Sequence, residues 1–72
     1  MAKEEMLKLT GQVIEVLPNT TFKVKLDENQ AIILTYLSGK LRQFDINIEL
    51  GDNVDVEVSQ YDLSRGRITY RR

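Results

Sequence analysis

The chain has 72 residues with no Cys and no His, ten Lys and Arg against eleven Asp and Glu, and a formal charge of −1. A chain this short buries only about 60% of its unfolded surface, and without Cys or His it has no disulfide, no thiolate or imidazole metal ligand and no Ser-His or Cys-His nucleophile pair. The near-neutral total gives no reason to expect a polyanionic partner, so any such argument must rest on where the charges sit.

The opening Met1-Ala2-Lys3-Glu4-Glu5 carries no apolar h-region, so the expectation is a chain made or kept where no secretory signal is needed. No apolar run approaches ~18 residues, and no membrane partner is expected. In the first segment Leu7, Leu9, Gly11, Val13 and Leu17 share parity, Ile14 and Val16 break it, and Gly11 suggests a bulge or tight bend. Pro18-Asn19-Thr20 is a turn. Phe22, Val24 and Leu26 then alternate with polar residues, a clean period of two. After the break Asp27-Glu28-Asn29-Gln30, Ala31 to Leu37 is almost continuously apolar. That pattern fits a strand covered on both faces or a barrel strand.

Ser38 to Ile48 is not strand-like. Ser38 is a candidate N-cap, Leu41 and Phe44 are three apart, and a single helical or 3₁₀ turn is expected. Beyond Gly51-Asp52-Asn53, Val54, Val56 and Val58 alternate with polar residues. Tyr61-Asp62-Leu63-Ser64 forms another turn, and Gly66, Ile68 and Tyr70 alternate with Arg65, Arg67, Thr69 and Arg71. Turn signals every ten residues or so indicate an all-β chain. Three strands, a short helical connection and two more strands is the plan of the five-stranded OB-fold barrel, expected here as a single domain over residues 1–72. An SH3-like barrel is the alternative, with a connection that is normally shorter.

The charges are segregated. Residues 59–72 hold four Arg and one acid, a net +3, whereas residues 27–58 hold seven acids and two bases, a net −5. Arg65, Arg67 and Arg71 share parity, so on a regular strand they form a row with ~7 Å between alternate positions. Guanidinium groups so placed suit RNA phosphates or the face of a base. A charged solvent face is the plainer reading, and if the last two strands pair, Asp55 or Glu57 neutralises those arginines. Lys40 and Arg42 sit beside Phe44 in the irregular connection, a combination that grips RNA by phosphate and stacked ring; alternatively Phe44 plugs the barrel end. Tyr36 and Tyr61 are further stacking candidates, although Tyr61 beside Asp62 also suits a structural hydrogen bond. Asp45, Glu49, Asp52, Asp55 and Glu57 do not have EF-hand spacing and read as a solvated acidic face. No phosphate loop, GxGxxG or GxSxG occurs, no cofactor is expected, and the chain reads as a non-enzyme.

Several segments together resemble one family. Ala2-Lys3-Glu4-Glu5, Leu17-Pro18-Asn19-Thr20-Thr21-Phe22-Lys23-Val24, Ser38-Gly39-Lys40-Leu41-Arg42, Gly51-Asp52-Asn53-Val54 and Tyr61-Asp62-Leu63-Ser64-Arg65-Gly66-Arg67-Ile68 are similar to bacterial translation initiation factor one over the full length. The resemblance implies an OB-fold protein, monomeric when free, that binds the small ribosomal subunit at the decoding (A) site. There it would contact rRNA and a neighbouring ribosomal protein, block early tRNA arrival and work with initiation factors two and three. Carried over by motif, the rRNA-binding residues would be Lys40, Arg42, Gln43, Phe44 and Asn47 in the connection, Tyr61 in the turn, and Arg65, Arg67 and Arg71 in the last strand. Where the family usually reads Arg-Lys-Asn-Tyr-Ile-Arg-Ile, this chain has Arg42-Gln43-Phe44-Asp45-Ile46-Asn47-Ile48. Gln43 and Asn47 thus replace two cations and Asp45 adds an acid, which lowers the expected number of phosphate contacts. The Asp27–Gln30 turn is one residue longer than in many bacterial members and resembles plastid relatives, so a bacterial cytoplasm and a plastid stroma are both compatible. Two other functions fit the residues less well: a cold-shock-like single-stranded RNA binder, and a protein-interaction module using the acidic middle.

Overall fold

The computed structural model describes residues 6–18, 20–39 and 47–72. Five strands follow in chain order: β1 (Met6–Leu17), β2 (Thr21–Leu26), β3 (Ile32–Leu37), β4 (Asn53–Ser59) and β5 (Asp62–Arg71). They close a barrel in the order β1-β2-β3-β5-β4, with β3 and β5 parallel and the other pairs antiparallel. This is the OB-fold order. The helical turn expected within Ser38 to Ile48 lies largely on residues 40–46, outside the described residues, as do the candidate site residues Lys40, Arg42, Gln43 and Phe44.

The alternating positions become the core. Val13, Phe22, Val24, Leu26, Ile33, Ile48, Val54, Val56, Val58 and Ile68 are buried together, with Leu9 and Leu37 packed at the margin. Burying a side chain of this size contributes roughly 1.5–3 kcal/mol. Thr35 is the one strand hydroxyl enclosed with them, and it donates to the Phe22 carbonyl at 2.9 Å, so its burial leaves no stranded donor.

β1 is shared between two ladders. Met6 to Gln12 pair with β4, and Gly11 to Leu17 pair with β2. At the changeover Gly11 faces Leu26 on one side and Val54 on the other. A Cβ there would lie 2.5 Å from Val24 Cγ1 and 2.7 Å from the Lys25 carbonyl oxygen, so only glycine allows this approach. The bulge itself is not at Gly11. It lies between Val13 and Glu15, with Ile14 as the extra residue, and it shifts the parity so that Val16 pairs with the buried Phe22; Ile14 and Val16 both remain partly open to solvent.

The loop before β4 is fastened to this bulge. Gly51, at φ 90°, donates its amide to the Val13 carbonyl, and the Val13 amide donates to Asp52 O. Asp52 closes the loop by accepting the Glu49 amide at 2.8 Å on Oδ2.

β3 resolves as a barrel strand. Ile33 and Thr35 face inward, while Ile32, Leu34 and Tyr36 remain on the outer surface.

A second irregularity lies in β5, where Val56 pairs with Ile68 but Asp55 pairs with Tyr70. Thr69 is the extra residue. Directly paired residues share a face, so the slip places Tyr70 outside with Asp55, whereas strict alternation predicts it inside with Gly66 and Ile68. The same slip takes Arg71 out of the row of Arg65 and Arg67.

Candidate nucleic-acid interface

The ladder registers fix what lies side by side on the outer surface. One row crosses four strands: Tyr36 on β3, Arg67 on β5, Glu57 on β4 and Lys8 on β1. The next row runs Lys23 on β2, Leu34 on β3 and Arg65 on β5. Adjacent strands are ~4.8 Å apart, so the side chains within a row are direct neighbours.

The arginines of β5 are in three different situations. Arg67 Nη2 donates to Glu57 Oε1 at 3.1 Å; Glu57 is largely covered, and the Arg67 Nε is enclosed with no hydrogen-bond partner among the described residues. Arg71 Nε lies 3.1 Å from Asp52 Oδ2, and Arg72 Nε donates to Asp55 Oδ1 at 2.6 Å. Arg65 is exposed and makes no ion pair with another described residue. The expected row of three guanidiniums is therefore absent. Arg65 points to solvent, Arg67 is held sideways by Glu57, and Arg71 clamps the loop before β4.

The β4–β5 turn presents Tyr61 at 80% exposure, with its backbone amide donating to Ser59 Oγ. The tyrosine is thus not a buried structural hydrogen bonder. Asp62 organises the turn instead. Its Oδ1 accepts from the Ser64 hydroxyl at 2.6 Å and the Ser64 amide at 3.2 Å. Those two bonds, with a smaller contribution from Arg65, hold its carboxyl below the ordinary carboxylate value. Asn47 is exposed just before the buried Ile48.

A depression of about 360 Å3 opens beside this turn. Met6, Tyr36, Glu57, Asp62, Arg65 and Arg67 contribute to its walls. One aromatic ring, two guanidiniums and two carboxylates in one hollow is a surface that recognises a flat, hydrogen-bonding group next to an anion. Tyr36, a stacking candidate from the sequence, lies on the outer surface, a placement that an unbroken apolar run does not reveal because it hides which alternate set faces out. Among the described residues no three Asp or Glu side chains converge into a cation-binding cluster.

The family described as translation initiation factor 1A / IF-1 matches residues 1–72. Among solved structures, the solution structure of translation initiation factor one from the Wolbachia endosymbiont strain TRS of Brugia malayi is 43% identical. The match has a TM-score of 0.77 and covers 93% of this chain and 77% of that one. The crystal structure of YjeQ from Thermotoga maritima matches at 28% identity and a TM-score of 0.74, over 92% of this chain but only 23% of its own. Eukaryotic translation initiation factor 5A from Methanococcus jannaschii, at 12% identity and a TM-score of 0.67 over 93% of this chain and 44% of its own, shares the fold alone.

Proposed function

The chain belongs to the translation initiation factor 1A / IF-1 family, and on that premise we propose that it occupies the decoding (A) site of the small ribosomal subunit through contacts to rRNA. In this reading it is a single OB-fold domain, monomeric when free, with no catalysis of its own. It blocks early tRNA arrival and assists initiation factors two and three, in a bacterial cytoplasm or a plastid stroma. The observation that carries the reading is the family match over residues 1–72, with 43% identity to a solved bacterial initiation factor one.

The action is steric and electrostatic. Lys40 and Arg42 supply cations on the connection after β3, with Gln43, Phe44 and Asn47 meeting local bases. Arg65 supplies an exposed guanidinium on β5 that makes no ion pair with another described residue, and Tyr61 an uncovered ring at the turn. Arg67 and Arg71 belong to the same face but engage phosphate only by giving up Glu57 and Asp52. The neighbouring ribosomal protein has the apolar strip of Ile32 and Leu34 available to it.

Co-sedimentation with small ribosomal subunits over a salt series tests the reading. Binding is expected at low salt, weakened by Arg42→Ala and by Arg65→Ala. Each lost phosphate contact flattens the slope of log K against log salt by about 0.7 to 0.9. Unchanged affinity for both variants in moderate salt would show that the assigned surface is wrong. Tight binding to free single-stranded RNA with no subunit association would favour the cold-shock-like alternative.

A further inference from the structure

We propose that the outer face of β3 is a docking site for an acidic amphipathic helix of a protein partner. Ile32, Leu34 and Tyr36 would receive its apolar stripe, and Lys23, Lys25 and Arg65 its carboxylates. This protein contact is separate from the rRNA contacts and does not depend on them.

β3 alternates cleanly between core and solvent. Ile33 and Thr35 are buried, whereas Ile32, Leu34 and Tyr36 are 58%, 40% and 48% exposed. The registers place cations along both sides of this strip. On the β2 side Lys25 is beside Ile32 and Lys23 beside Leu34; on the β5 side Arg65 is beside Leu34 and Arg67 beside Tyr36. Glu15 lies 3.5 Å from Lys23, and Glu57 holds Arg67 at 3.1 Å. Lys25 and Arg65 make no ion pair with another described residue. An exposed apolar strip rimmed by polar groups marks a surface that gains from being covered, and the charge left open on the rim sets the sign of what covers it.

The cover is a helix of protein, not RNA and not an added strand. Unstacked bases are held on aromatic rings or guanidinium planes, and two of the three strip residues are aliphatic, with no such face to offer a nucleotide. β3 is hydrogen-bonded to β2 along one side and, from Leu34 to Leu37, to β5 along the other, so no long strand edge is open to a peptide strand. A partner must therefore be read through its side chains. A helix lying along β3 repeats apolar residues at i and i+4, about 6 Å apart on its axis, close to the ~7 Å between alternate strand positions. The strip from Ile32 to Tyr36 spans about 13 Å, the length of roughly nine helical residues. Asp or Glu on the flanks of such a helix would meet Lys23 and Lys25 on one side and Arg65 on the other.

The test is an NMR titration of the whole chain with the peptide EELAEALEALEEALEA, set against two controls. In one every Leu is replaced by Ala, and in the other every Glu by Lys. The acidic peptide is expected to bind at least about 10-fold more tightly than either control, with shifts centred on the amides of Lys23, Lys25, Ile32 and Leu34. Leu34→Ser should weaken it about 4- to 12-fold, the worth of covering a half-exposed aliphatic side chain. Ile32→Ser, at the most open position of the strip, repeats the measurement if Leu34→Ser does not fold. Lys25→Glu should weaken binding about 2- to 5-fold and flatten its salt dependence. Equal binding of the acidic peptide and either control, shifts away from β2 and β3, or no effect of the Ser variants overturns the site. So does a UUUUU pentanucleotide that shifts Ile32 and Leu34 where the acidic peptide does not, because the face then belongs to RNA. A chain that sediments with small subunits and ignores the peptide loses this site and keeps the ribosomal reading. A chain that takes the peptide on β3 and binds no subunits keeps the site and loses that reading.

Discussion

Arg71 shows how little a residue's parity says about its job. Its Nε reaches Asp52 Oδ2, the same oxygen that accepts the Glu49 amide, so it holds the loop before β4. Arg71→Ala is expected to lower stability by up to about 1 kcal/mol in urea denaturation, the range of a partly exposed ion pair. Gly11→Ala is a stronger case. The added Cβ meets Val24 Cγ1 at 2.5 Å and backbone at 2.7 Å, and overpacking of this kind costs about 1–3 kcal/mol, which a parallel urea series would detect. Asp62 gives a prediction in pH. Its folded carboxyl is held below the unfolded value by Ser64, so its contribution to stability is present above the ordinary carboxylate range. That contribution is lost as pH falls through the lowered folded value. Asp62→Asn keeps an acceptor for Ser64 and has no proton to gain, so its urea midpoint should fall less than the parent's between pH 5 and pH 2.

At the scale of the strand, the alternating segments were readable and the irregular ones were not. Phe22, Val24 and Leu26, and likewise Val54, Val56 and Val58, lie inside as their period of two requires. The broken parity at Ile14 and Val16 was a visible mark of the β1 bulge, although Gly11 drew attention to the wrong residue. The β5 bulge left no mark. Gly66, Ile68 and Tyr70 alternate without a fault, and only the pairing with β4 shows that Thr69 is extra. A one-residue slip in a partner strand is a property of two segments, and no single segment's pattern contains it. The candidate site was partly legible for the same reason. Arg65 and Tyr61 emerge exposed, but the Tyr36–Arg67–Glu57 row exists only across three strands. The β3–β5 seam has four paired positions and is parallel, against seven antiparallel ones between β1 and β4. Parallel pairing is slightly weaker per residue, so amide exchange should be faster in Leu34–Leu37 than in Leu7–Gly11.

For the molecule as a whole, the neutral total conceals an ordered arrangement of charge. The basic end and the acidic middle are adjacent strands of one barrel, and three of the four terminal arginines take their partners from β4 or the loop before it. Small-subunit binding should therefore show a shallower salt dependence than four free arginines would give, and Glu57→Ala should steepen it by freeing Arg67. The same arrangement makes RNA docking at this end an exchange of anions. A polyphosphate that approaches must displace carboxylates already in place, so a passing chain of nucleotides gains little from weak or partial contact. Only a ligand shaped to engage several of these side chains at once recovers the loss. On the proposed function, the internal pairing would act as a threshold against adhesion of the unbound protein to every polyanion it meets.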